Sequence, residues 1–144
     1  MSDPTPFEIV QAVYASHEVR DTPGLLELLA DDVVWETAEH HPYAGDGPWH
    51  GHEDVVRNVV DPINHDWDDY VTEVEDILDA GDRIVVTARY RGTYKKTGRS
   101  LDAQVCVIYT ITDGEIVRFQ QFTDTAQFRS VIGVDEGRAS SEDR

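Results

Sequence analysis

Residues 80–124 read AGDRIVVTARYRGTYKKTGRSLDAQVCVIYTITDGEIVRFQQFTD. Apolar and polar side chains alternate here over Arg83–Tyr94, Ser100–Ile111 and Ile116–Phe122. A period of two is that of a half-buried strand, because successive side chains leave a strand on opposite faces. Lys95–Gly98 forms a basic turn, and Thr112-Asp113-Gly114-Glu115 a tight hairpin turn. Upstream, Asp68–Asp79 reads as a further strand that ends in the turn Ala80-Gly81-Asp82. Its residues Tyr70, Thr72, Val74 and Asp76 share one parity, and Val71, Glu73, Glu75 and Ile77 the other. Strands joined by such short turns must run antiparallel.

The first half of the chain has a different period. Phe7, Val10, Val13 and Tyr14 recur at steps of three and four, which predicts an amphipathic helix over 7–19. Asp21-Thr22-Pro23 caps a second short helix carrying Leu25, Leu26, Leu28 and Leu29 and stopping near Ala30. Val33, Val34 and Trp35 begin a short strand. Residues 38–52, AEHHPYAGDGPWHGH, form a long loop with turns at Ala44–Pro48. Glu53–Val60 is a third helix, ending before Pro62 or kinking there. Thr125–Val131 forms a short last helix. Helices first and a mostly antiparallel sheet last argue for an α+β fold rather than a doubly wound parallel sheet. The organisation expected is a polar lead over 1–6, one domain over 7–131 and a fraying polar tail over 132–144.

The charge is strongly one-sided, with 29 Asp plus Glu against 12 Lys plus Arg, a formal net charge of -17. Such a surface repels nucleic acid and anionic lipid, so neither is an expected partner. It reads as adaptation to a high-salt cytoplasm, where screening removes most self-repulsion, as in a halophilic archaeon. Cys106 has no second cysteine to pair with, which excludes a disulfide scaffold. The N-terminus has no leader pattern and no apolar run approaches a membrane span, so a cytoplasmic location is expected. No Gly-rich phosphate loop follows a strand, and no cofactor is implied.

The succession of two helices, LLADDVVWE, a loop closing in HG before a helix, AGDRIVVTARYRGTYKKTG and TITDGEIVRFQQFTD resembles the SnoaL-like group over about residues 7–130. That group sits in the superfamily of nuclear transport factor two, scytalone dehydratase, limonene epoxide hydrolase and ketosteroid isomerase. The resemblance implies a cone-shaped curved sheet packed on the N-terminal helices, a pocket open at one end, and pairing through the sheet as a homodimer. It transfers a reaction poorly. The general-base Asp of the isomerases falls on Thr37, and their oxyanion-hole Asp on Val107; Tyr14 matches their oxyanion-hole Tyr. The cyclase Asp of the last strand falls on Gln121, which shares a face with Phe119 and Thr123, with Asp124 nearby at the pocket mouth. Arg89 or Arg91 matches the epoxide hydrolase Arg without its pair of carboxylates.

Four histidines, His40, His41, His50 and His52, crowd the long loop. Their spacing fits no zinc signature, so no metal is expected. His41 is the preferred acid/base candidate, since imidazole titrates near neutrality; the alternative is that it packs or caps the loop. Trp49 and Trp67 either line an apolar pocket or serve packing. Arg89 either enters the pocket or pairs with surface carboxylates. Three readings stand. The first is an isomerase, cyclase or hydrolase acting by general acid/base chemistry on a small hydrophobic compound. Glu39, His41 and Asp124 would carry protons, and Tyr14, Arg89 and Gln121 would orient or polarise oxygen. The second is a non-catalytic small-molecule binder, favoured by a cavity without a proton-transfer pair. The third is a structural dimer, favoured by a cavity filled with Trp and Phe.

Overall fold

The alternation in the second half builds the larger part of one six-stranded sheet. The computed structural model describes residues 3–134. The strands are β1 (Leu29–Glu36), β2 (Trp49–His50), β3 (Trp67–Asp79), β4 (Arg83–Tyr94), β5 (Ser100–Thr112) and β6 (Glu115–Thr123). Their spatial order is β2-β1-β6-β5-β4-β3. β3 to β6 are an antiparallel meander, while β1 runs parallel to β6 and antiparallel to β2. The sheet is therefore mixed, and the fold is α+β.

Alternation sets the two faces. Ile84, Val86, Ala88 and Tyr90 of β4 are buried, as are Leu101, Ala103, Val105, Val107, Tyr109 and Ile111 of β5. Three bulges break the simple parity of the meander, and β1 shifts register against β6 between Leu29 and Val34. The extra residues lie between Asp68 and Val71, at Glu75 and at Val117, as the shifts in pairing show. The bulge at Glu75 corrects the parity expected for β3. Ile77 pairs with the buried Val86 and packs on the core from the side of Val74, leaving Asp76 exposed. Bulges also bend and twist a strand, which helps curve the sheet.

The helices cover the concave face. α1 (Pro6–Glu18) starts at a capping box between Thr5 and Glu8 and buries Ile9, Val10 and Val13. α2 (Thr22–Leu28) is capped by Asp21, and its chain enters β1 one residue later, earlier than the expected start at Val33. The third helix is longer than expected: α3 (Gly51–Val55) continues through a π-helical turn (Val56–Val60) into α4 (Asp61–Asp66). Pro62 does not end it. The Asp61 N–H bonds to the Val56 carbonyl five residues back, and Pro62 has no N–H to place. α5 (Thr125–Ile132) is capped by Asp124 and stopped by Gly133 at φ 85°. The long loop turns twice, Ala44 N bonding His41 O and Gly47 N bonding Ala44 O. Its last residues are not loop, since His50 lies in β2 and His52 in α3. Among the described residues no helix is long and apolar enough to cross a membrane. The expected polar tail lies, from residue 135 on, outside the described residues.

Candidate functional site

A cavity of about 190 Å³ lies between the sheet and the helices. Tyr14 and His17 enter from α1, Leu25 from α2, Val59 and Val60 from the π turn, and Ile63 and Asn64 from α4. Trp35, Tyr70, Tyr90, Tyr109, Phe119 and Gln121 form the sheet wall, while Thr37, His41 and Tyr43 come from the loop after β1. Glu18, Arg20, Asp21 and Val71 line it too but are exposed, so they mark the mouth. Trp35 stacks on Phe119, with centroids 3.7 Å apart, leaving the cavity open rather than filling it.

The polar groups of the wall hold one another in place. The Tyr14 and Tyr109 hydroxyls lie 2.8 Å apart. Gln121 donates through Nε2 to the Tyr90 hydroxyl at 2.9 Å and accepts from Ala38 N at 3.2 Å. Tyr43 donates to Asp66 Oδ2 at 2.8 Å and accepts from Trp67 Nε1 at 3.0 Å. Arg20 ties the mouth together, donating to Asn64 Oδ1 and to the Tyr70 carbonyl.

Burial decides the protonation states. It pushes Tyr90 up to about 12, against the lowering effect of the Gln121 hydrogen bond. It also raises Tyr14, Tyr43, Tyr70 and Tyr109. All five remain neutral phenols at neutral pH. His41 is 6% exposed, and desolvation lowers its pKa to about 4. Its Nδ1 accepts from Tyr43 N at 3.0 Å, which assigns the proton of the neutral ring to Nε2. Desolvation by the surrounding atoms, and then the Arg20 charge, lowers His17 to about 4 as well.

The SnoaL-like domain profile matches residues 10–119 of this chain. The chain belongs to the SnoaL-like family. A solved NTF2-like protein from Burkholderia thailandensis E264 is 32% identical, with 90% of this chain and 98% of that one covered and a TM-score of 0.85. An NTF2-like protein of unknown function from Burkholderia pseudomallei K96243 is 28% identical, with 92% and 98% covered and a TM-score of 0.81. Uncharacterised proteins of Mycobacterium tuberculosis and Mycobacterium bovis are 26% identical over 122 residues, covering 85% of this chain and 91% of theirs.

The SnoaL-like cavity gathers five of the residues expected from sequence: Tyr14, Thr37, His41, Phe119 and Gln121. The others stand elsewhere. Arg89 lies on the outer sheet face, bonded to Asp102 Oδ1 at 2.7 Å, because the parity that buries Tyr90 turns its neighbours outward. Asp124 is spent as the cap of α5, accepting from Gln127 N at 3.1 Å. Glu39 does not line the cavity. Trp49 pairs with Trp35 across β2 and β1 and packs against the 45–47 turn, away from the cavity. Trp67 is buried core that reaches the site through Tyr43 and Tyr70, whose ring lies edge-on to it. Val107 is also core, on the inner face but outside the cavity wall. The four histidines do not converge, and among the described residues no group of three metal-ligating side chains forms. The sequence reading passes over the wall's Trp35, Tyr43, Tyr70, Tyr90 and Tyr109, and His17 of α1. The inward parity of Tyr90 and Tyr109 was the signal that would have found those two.

Proposed function

We propose that this SnoaL-like chain binds a small, mostly apolar molecule about one ring in size, without transforming it. One observation carries the reading. The interior wall has hydroxyl and imidazole donors but neither a carboxylate nor an imidazole that titrates near neutrality. Glu39 and Asp124 stand outside, and a ring with pKa about 4 is a weak base at neutral pH. Size follows from volume. A cavity of about 150 Å³ holds benzene, so about 190 Å³ admits one substituted ring and leaves a larger skeleton protruding through the mouth. The test is to incubate the protein with cell extract, denature it and weigh what it releases. A one-ring compound enriched on the protein and unchanged after long incubation is expected. Finding none enriched, or finding it consumed, would overturn the reading.

Catalysis has one specific observation in its favour. Asp66 accepts from a hydroxyl of the cavity wall, so a ligand proton passing to Tyr43 oxygen would let the Tyr43 proton pass to Asp66. On that reading Asp66→Asn abolishes turnover of a bound compound and leaves its affinity within about twofold.

We also infer a cytoplasmic homodimer formed through the outer sheet face. Phe122 stands exposed there, with Ile108 and Val85 only partly covered. A sedimenting species of single-chain mass would remove the dimer. Adaptation to high salt rests on charge alone, since the relatives named above come from mycobacteria and Burkholderia.

A further inference from the structure

We propose that the cavity selects an uncharged one-ring compound carrying a hydrogen-bond-accepting oxygen, such as a ketone, aldehyde or quinone, over amines, ammonium ions and carboxylates. The inference rests on the binding reading and names its ligand class.

Counting protons along the wall leads to it. Tyr14 and Tyr109 bring two hydroxyl protons to one mutual hydrogen bond, so one proton is left to donate. Tyr90 oxygen already receives the Gln121 amide, and its own proton has no acceptor among the described residues. Neutral His41 carries its proton on Nε2, because Nδ1 is occupied by Tyr43 N. Trp35 Nε1–H is buried without an acceptor among the described residues. These groups come from separate parts of the chain and share one cavity. Two acceptors of the wall, Gln121 Oε1 and His41 Nδ1, are already engaged. A buried donor without an acceptor is costly, and a ligand oxygen supplies what is missing.

Charge narrows the class. A carboxylate needs a cation beside it, but Arg20 stays at the mouth with its guanidinium bonded to Asn64 and the Tyr70 carbonyl. The net charge of -17 also disfavours approach of an anion. A cation finds aromatic faces here, yet it also meets the positive ends of the O–H and N–H dipoles. Glu18 and Asp21, the acidic residues that would favour it, stay at the exposed rim.

Calorimetric titration of the full chain with toluene, acetophenone, benzoate and benzyltrimethylammonium tests this. All four probes present one ring and differ in charge and acceptor. Acetophenone is expected to bind about tenfold or more tighter than each of the others. Tyr90→Phe is expected to weaken acetophenone about fivefold and leave toluene within about twofold, the toluene value serving as the control for folding. Benzoate or the ammonium binding as tightly as acetophenone would overturn the ligand class. Toluene matching acetophenone would also overturn it while leaving the binding reading standing. Failure of all four probes to bind would remove the binding reading itself.

Discussion

His41 shows how a residue chosen for one chemistry comes to serve another. Sequence singled it out because imidazole titrates near neutrality, and the fold removes that property by enclosing the ring. Phe128 lies 4.2 Å from it, centroid to centroid, and Tyr43 at 5.5 Å. Enclosure is read from three-dimensional contacts with α5 and the loop, which no local pattern around His41 records. The folded pKa of about 4 lies below the ordinary 6.5, so the unfolded chain binds more protons between these values. Stability from this group is full above the unfolded pKa and falls as pH drops toward 4. The loss amounts to about 3 kcal/mol at most. Chemical denaturation of wild type and His41→Gln from pH 7 to pH 4 checks it. The stability gap between them should shift against the wild type across that window, and a constant gap would contradict the assignment.

At the scale of elements, the sequence was most legible where one period ran undisturbed. β4 and the antiparallel meander are those expected from alternation, with ends at Arg83 and Tyr94 for β4 as read. It was least legible where the backbone inserts a residue. The bulge at Glu75 put Ile77 on the core side against the expected parity, and the π turn carried the third helix past Pro62. Both are local changes of register, and neither alters composition or periodicity enough to be seen in the sequence. The cavity was half legible for the same reason. Phe119 and Gln121 were placed on one face correctly, while Tyr43 reaches the wall through a loop whose path depends on its Asp66 and Trp67 partners. Asp124 is a proton-carrier candidate in the sequence, and its role as the α5 cap is directly measurable. Asp124→Ala should destabilise the chain by about 1 kcal/mol through loss of the α5 cap. Its ligand affinity should stay within about twofold of wild type. A large loss of binding at unchanged stability would return Asp124 to the site.

For the molecule as a whole, the 17 excess negative charges act on the compact state through mutual repulsion. Screening over a Debye length of about 8 Å at 0.15 M salt and about 3 Å at 1 M relieves it. The melting temperature should therefore rise steeply at low salt. If the charge is an adaptation to high salt, the rise continues beyond about 1 M, where simple screening is nearly complete. A plateau well below that concentration would mark an ordinary acidic protein. The mixed sheet also has a kinetic consequence. β3 to β6 pair with neighbours in sequence, whereas β1 must find β6 across most of the chain, as in the pairing of Trp35 with Phe119. Closing the shorter loops costs less entropy, so the meander is expected to zip first and β1 to dock later. Pulsed hydrogen exchange during refolding checks the order, with amides of β4 and β5 protected before those of β1; simultaneous protection would refute it. Trp35 and Thr37 reach the wall only through that late docking, so the binding chamber is the last part of the molecule to come into being, and a ligand that enters it acts as a latch on the final step of folding.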